Sequence, residues 1–260
     1  MQKIVIIGGG SGVAELLTEF RKIREVHVSA IISVFDSGGS TGRLRAKLKI
    51  PAVGDLRNCF SAVAKNREIS ENLEARLQNG HAIGNLVFAF FAKKFGFKKA
   101  TEIYNEFIDS NNQILPVSFD NATLVGQITS GDEIYGEEKF DRFSEKSFRE
   151  KIEKIRLVPR ARLNTEVLKI FATADKIIVG PGSLFGSLLV NFVVKDFSSV
   201  FQSSRAQKIL IINATREFGC EDENSTEIAA RFPVKFDKIL RPAQNLQRWN
   251  MKTLVKKILT

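Results

Sequence analysis

At 260 residues, with 43% hydrophobic and 26% charged side chains, the chain has length for one large α/β domain or two small ones, and its composition excludes disorder and collagen-like repeats. A net charge of +10 invites a nucleic-acid partner, but the bases are interleaved with acids, as in 137–154, and the aromatics are mostly Phe, so nucleic acid is disfavoured. No apolar run approaches the roughly 18 residues of a membrane span, two cysteines and two histidines suit neither a disulfide framework nor a zinc cage, and the first residues lack a signal-peptide pattern, so a cytoplasmic protein without a membrane partner is expected.

Lys3 to Ile7 is a β-rich apolar run that ends in Gly8-Gly9-Gly10-Ser11-Gly12. Behind it Val13, Leu16, Leu17 and Phe20 recur at i, i+3, i+4 and i+7, which reads as strand, glycine turn, helix. Val26 to Phe35 is nearly continuous apolar sequence, as in a strand covered on both faces, and a second glycine loop, Asp36 to Gly42, follows at once. After the basic segment Arg43 to Lys49 and Pro51, Gly54-Asp55 opens a helix with the apolar face Leu56, Cys59, Phe60, Val63 and Ala64. A third glycine site, Gly80 to Asn85, precedes Leu86 to Phe91, whose all-round apolar character predicts a buried helix, and Phe95 to Phe107 reads as an amphipathic one.

From about 114 to 157 the texture changes to a β excursion and charged insertion. Thr123 to Ile128 and Glu133 to Tyr135 flank the turn Ser130-Gly131-Asp132, and 137–154 reads as a mobile insertion or surface helix. Alternation resumes with a helix at Asn164 to Thr173, a strand at Lys176 to Val179, the fourth glycine loop Gly180-Pro181-Gly182-Ser183, a helix at Leu184 to Val194 and a strand at Lys208 to Ile212. Lys238 to Thr260 holds six bases and no acid, with a helical stripe of Leu254, Val255, Ile258 and Leu259. The pattern predicts a single α/β domain over 1–260, a doubly wound, mainly parallel sheet with a small β excursion, whose ligand lies beyond the carboxyl ends of the strands.

Candidate chemistry gathers in these loops. Gly9, Gly10, Ser11 and Gly12 lie where a phosphate can approach backbone N–H groups at a helix start. They match neither GxGxxG, since Val13 stands at the third glycine, nor a P-loop, so no NAD is expected. Asp36 ends the second strand, where a dinucleotide fold places its ribose carboxylate, yet the following Gly38, Gly39 and Ser40 suit a carboxylate that holds Mg²⁺ beside phosphate. Asp55 reads either as a second metal carboxylate or as a helix N-cap. Arg43, Arg45 and Arg57 are within sequence reach of an anionic ligand, and Asn58 follows on the same helix. His81 reads as a phosphate donor, a proton shuttle or a cap, and Asn85, inside an apolar helix, needs a partner. Gly180, Pro181, Gly182 and Ser183 repeat the strand-to-helix anion site.

Six ordered motifs carry a resemblance: GGGSG at Gly8, FDSGGSTGRLR at Phe35 to Arg45, GDLRNC at Gly54 to Cys59, GHAIGN at Gly80 to Asn85, ILP at Ile114 to Pro116, and GPGSLFGS at Gly180 to Ser187. Nearly the whole chain resembles the YvcK-like gluconeogenesis-factor family, within the 2-phospho-L-lactate transferase (CofD-like) superfamily. The resemblance implies a Rossmann-like fold, often dimeric, with a nucleotide site at the strand ends, so a homodimer is expected. Its transferase branch moves a phospholactyl group from a guanosine diphosphate donor to a deazaflavin with Mg²⁺. Its other branch is associated with carbon metabolism and cell shape and resembles a UDP-sugar-binding regulator with no agreed reaction. The motifs are closer to the second branch. Asp36 and Asp55 match the acidic pair implicated in metal binding in the first, but where the family pairs two adjacent aspartates this chain has Asp36-Ser37, which weakens the implication of metal-dependent transfer.

Overall fold

Six of the apolar runs become one parallel sheet in the computed structural model, which describes residues 1–140, 151–213, 224–242 and 248–260. In chain order the described strands are β1 (Gln2–Gly8), β2 (Val26–Ile32), β3 (Gln113–Pro116), β4 (Thr123–Ile128), β5 (Glu133–Tyr135), β6 (Ile152–Val158), β7 (Lys176–Val179), β8 (Gln207–Ile211) and β9 (Lys238–Leu240). The main sheet runs β3-β2-β1-β7-β8-β9 with every neighbouring pair parallel. Counting only its own strands, that is the doubly wound order 3-2-1-4-5-6, which reverses direction between β1 and β7. A second, antiparallel sheet is ordered β5-β4-β6.

The sheet forms because its strands are rich in β-branched residues that helices cover on both faces. Ile4, Val5, Ile6 and Ile7 of β1 are all buried. Helix α1 (Gly10–Phe20) buries Val13, Leu16, Leu17 and Phe20, the stripe its spacing predicts, each side chain contributing about 2 kcal/mol of apolar burial. It lies beside α3 (Gly54–Val63), whose first residues follow α2 (Gly39–Leu48) and Pro51. Next come α4 (Arg67–Glu74), α5 (Ile83–Phe95) and α6 (Phe97–Phe107). Among the described residues no helix is long and apolar enough to cross a membrane.

Several expectations are corrected. The second strand stops at Ile32, and the glycine loop after it coils early: Gly39 to Gly42 form the first turn of α2, which takes in most of the basic segment. Loop-forming residues became a helix start because Gly39 supplies a backbone turn at φ +47° and Gly42 passes close to the Ser37 carbonyl. The helix at Leu86 to Phe91 is not buried all round: Val87 and Phe90 are exposed, with Ile83 and Phe95 on the same element, because α5 packs on the core through one face, with Phe88, Ala89 and Ala92 buried and Leu86 and Phe91 partly so. Ile114 to Pro116 pairs with β2 in the main sheet, so the antiparallel part begins at Thr123. Within the charged segment 137–154, Ile152 opens β6, whose pairing with β4 overrides its charge, and 141–150 lie outside the described residues. The helix after the fourth glycine loop is a π-helix, Leu184–Leu189, running into a short α-turn, Val190–Phe192.

Candidate functional site

The topology brings the first and fourth glycine loops together. A Cβ added to Gly12 would lie 2.9 Å from the Pro181 carbonyl oxygen, and one on Gly182 would lie 3.6 Å from that of Gly9. Gly9, Gly10, Ser11 and Gly12 therefore face Gly180, Pro181, Gly182 and Ser183 across the β1–β7 seam, where a doubly wound sheet receives its ligand. Gly10 sits at φ +70°, a conformation that side chains resist. Gly9 caps α1 with no side chain, and the π-helix likewise starts without a side-chain cap at Ser183, so N–H groups and the positive ends of both helices are turned to this edge. Asn213, just past β8, receives the Gly182 N–H (3.2 Å) and donates to its carbonyl (2.9 Å), fixing the fourth loop. Ser183 donates to Ser187 (3.2 Å), whose hydroxyl reaches toward Gly9.

Asp55 is the centre of the edge. It is not the cap of α3: that place belongs to Val53, and no side chain caps the helix. From the first turn its carboxylate instead crosses to the Gly10 N–H, and a Cβ on Gly9 would lie 2.5 Å from its Oδ2, so glycine is required at position 9 for the carboxylate to fit. Burial and the neighbouring charge of Asp36 push its carboxyl up to about 7, against the opposing pull of the Gly10 N–H and Arg57. Asp36 accepts the Gly38 N–H at 2.7 Å and approaches the start of α3 at Gly54. Among the described residues no three His, Cys, Asp or Glu side chains cluster as a self-sufficient metal cage. Two mutually repelling carboxylates beside glycine-loop N–H groups are a donor set that fits Mg²⁺, which takes one or two carboxylates and completes its shell with other oxygens and water.

A polar relay borders the pair. Arg43 donates to His81 Nε2 (3.4 Å), and His81 Nδ1 meets the Ser40 hydroxyl at 2.8 Å. Because arginine only donates, the neutral imidazole carries its proton on Nδ1 and donates to Ser40. Asn85 also donates to Ser40 (3.2 Å) and accepts from Arg57 (3.4 Å), so the buried amide has the partners it needs. With its oxygen accepting from both, the Ser40 O–H is left to donate outward. Partial burial and the charges of Arg43 and Lys47 lower the His81 pKa, keeping the ring neutral. Arg45 is a different case: its guanidinium is buried and donates to the carbonyls of Phe35 (3.0 Å), Asp36 (2.8 Å) and Ala122 (2.6 Å) and to Asn121 (2.9 Å). It clamps the Asp36 loop to the β4 approach, and no N–H is left for a ligand. Gly38 and Gly39 start α2 without a side-chain cap, and Asn58 stands half-buried one turn into α3.

Cavity size alone would mislead. A space of about 430 Å³ lined by Arg21, Lys65 and Asp109 lies at the amino-terminal edge of the sheet, away from every residue above. Topology and the convergence of loops outweigh it. The sequence reading missed Ser187 and Asn213, although each stood at a visible signal: a serine one turn after Ser183, and the end of a buried strand.

The sequence profile of the family described as 2-phospho-L-lactate transferase CofD matches residues 4–235. The chain belongs to this family. Gluconeogenesis-factor relatives agree with the motif reading: a Thermotoga maritima protein is 36% identical over 227 residues, covering 84% of this chain and 69% of its own. The gluconeogenesis factor of Bacillus subtilis is 32% identical over 226 residues, again 84% and 69%. A crystal structure of a Bacillus halodurans protein superposes with TM-score 0.84 at 25% identity, covering 100% of this chain and 99% of that one. The expected membership and Rossmann-like fold both hold.

Proposed function

We propose that this CofD-family chain is a nucleotide-sugar-binding protein of the gluconeogenesis-factor type, which reports UDP-sugar occupancy to carbon metabolism and cell shape. The observation that carries it is the contact of the Gly9–Gly12 and Gly180–Ser183 loops across the β1–β7 seam, with two helix starts aimed at one edge. A diphosphate there accepts N–H bonds from the α1 start beyond Gly10, whose own N–H is held by Asp55, while the Ser40 hydroxyl and Arg57 border it. Support for a regulator over a catalyst comes from the gluconeogenesis-factor relatives and from Ser37 in place of a second adjacent aspartate. Isothermal titration with UDP-glucose and UDP-N-acetylglucosamine tests the reading: binding is expected, and the absence of both heat and thermal shift would remove it.

The Asp36–Asp55 pair favours a second reading, a Mg²⁺-dependent transferase acting on a nucleotide-diphosphate-linked donor. In that reading Mg²⁺ is held by Asp36 and Asp55 and neutralises phosphate charge, while the backbone N–H groups of α1 and Arg57 orient the donor. Turnover of a guanosine-linked phospholactate with the deazaflavin acceptor, abolished in Asp36→Asn, is its expected signature. Activity that survives that substitution unchanged would refute the metal role.

A further inference from the structure

From the phosphate edge a trough runs down the seam between α1 and α3, enclosing about 320 Å³. It exists because the facing residues are small: Ala14 and Thr18 on α1, Ser61 and Ala62 on α3. Its mouth is formed by Ser11 and Asn58, so it opens where the first glycine loop presents its N–H groups. Glu15 and Glu74 stand along it with Ser70. The fully buried Ser61 hydroxyl lies 2.8 Å from both the Ser70 hydroxyl and Glu74 Oε1, which holds Glu74 over the floor. At the far end Arg21 Nη1 donates to the carbonyls of Ala62 (3.1 Å) and Ala64 (3.2 Å).

We propose that this α1–α3 trough is the sugar subsite, taking the neutral, polyhydroxylated ring of the nucleotide sugar, while the diphosphate stays at the Gly10–Gly12 end. The assignment rests on the nucleotide-sugar reading above. Three features set the orientation. Carboxylates and hydroxyls are the acceptors that vicinal sugar hydroxyls require, and Glu74 is already pre-oriented by Ser61. Glu74, and Glu15 where it is not shared with Arg248, disfavour phosphate inside the trough itself. Among the described residues no aromatic side chain lines the trough, so a nucleobase finds nothing there to stack on.

Calorimetric titration of UDP, UDP-glucose and UDP-N-acetylglucosamine into the wild type, Ala62→Leu and Glu74→Gln tests the assignment. Ala62→Leu fills the floor, and Glu74→Gln removes the carboxylate charge while keeping an acceptor oxygen for the Ser61 hydroxyl. The wild type is expected to bind at least one sugar nucleotide about tenfold more tightly than UDP. Both variants should lose most of that increment while binding UDP as before, which also reports that they are folded. Equal wild-type affinity for UDP and its sugars, or variants that keep the full preference, overturns the subsite but leaves nucleotide binding standing. No binding of UDP or of any sugar nucleotide by the wild type overturns the subsite and the proposed function together.

Discussion

Asp55 shows how a single carboxyl can record the state of its surroundings. Its carboxyl is pushed up to about 7 in the fold, above its ordinary value of 3.8, so its contribution to stability is fully present below about pH 4 and is lost as pH rises toward and through 7. Asp55→Asn removes that loss. The variant is therefore expected to gain stability over the wild type from pH 5 to pH 8, as read by urea denaturation at the two pH values, and a constant difference would contradict the burial of the charge. If the pair holds Mg²⁺, the ion competes with this proton: millimolar Mg²⁺ should raise the wild-type melting temperature at pH 8 but not at pH 5, and Asp36→Asn should abolish the rise. The position of Asp55 at a helix start was legible in the sequence; its partner was not. Reading it as an N-cap followed local chemistry, whereas the Gly10 N–H that it engages is 45 positions away in the chain and is brought near only by the packing of α3 on α1.

At the scale of elements, legibility followed period. Strand-turn-helix units whose apolar spacing was clean, such as β1 with α1, appear where expected, β1 within one residue at each end and α1 starting at Gly10, three residues before the predicted stripe, because the same periodicity that marks them in sequence buries them in the fold. Elements held mainly by tertiary partners were hidden: α2 starts inside a glycine loop, and β6 is half charged and gains its stability by pairing with β4. Arg45 belongs here, because it is a guanidinium that the sequence offered to a ligand and the fold spends on joining two elements. Arg45→Met, similar in length but with no donors, is expected to destabilise by about 3 kcal/mol, the scale of losing several bonds from a charged donor to buried carbonyls. Chemical denaturation measures it, and a loss under about 0.5 kcal/mol would show that the clamp is dispensable. A second joint is the Tyr104 hydroxyl, which donates to the Gly84 carbonyl at 2.7 Å, one residue before Asn85. Tyr104→Phe should cost about 1–3 kcal/mol and weaken nucleotide binding through the loosened relay, with calorimetry on the folded variant as the check.

Taken whole, the molecule is a cation, with a net charge of +10. On the proposed function that charge favours the approach of a phosphate ligand, so the affinity of a nucleotide sugar should fall severalfold between 50 and 500 mM NaCl, and a salt-independent affinity would argue against phosphate as the anchor. The seam that forms this edge joins distant parts of the chain: β1 pairs with β2 on one side and β7 on the other, Ile4 opposite Lys176. During synthesis the first strand therefore waits roughly ten to thirty seconds for its second neighbour to be made. Until then an apolar, β-branched strand has one edge bare, the kind of template on which unfinished chains pair with one another. Fragments ending before Lys176 should accumulate as aggregates.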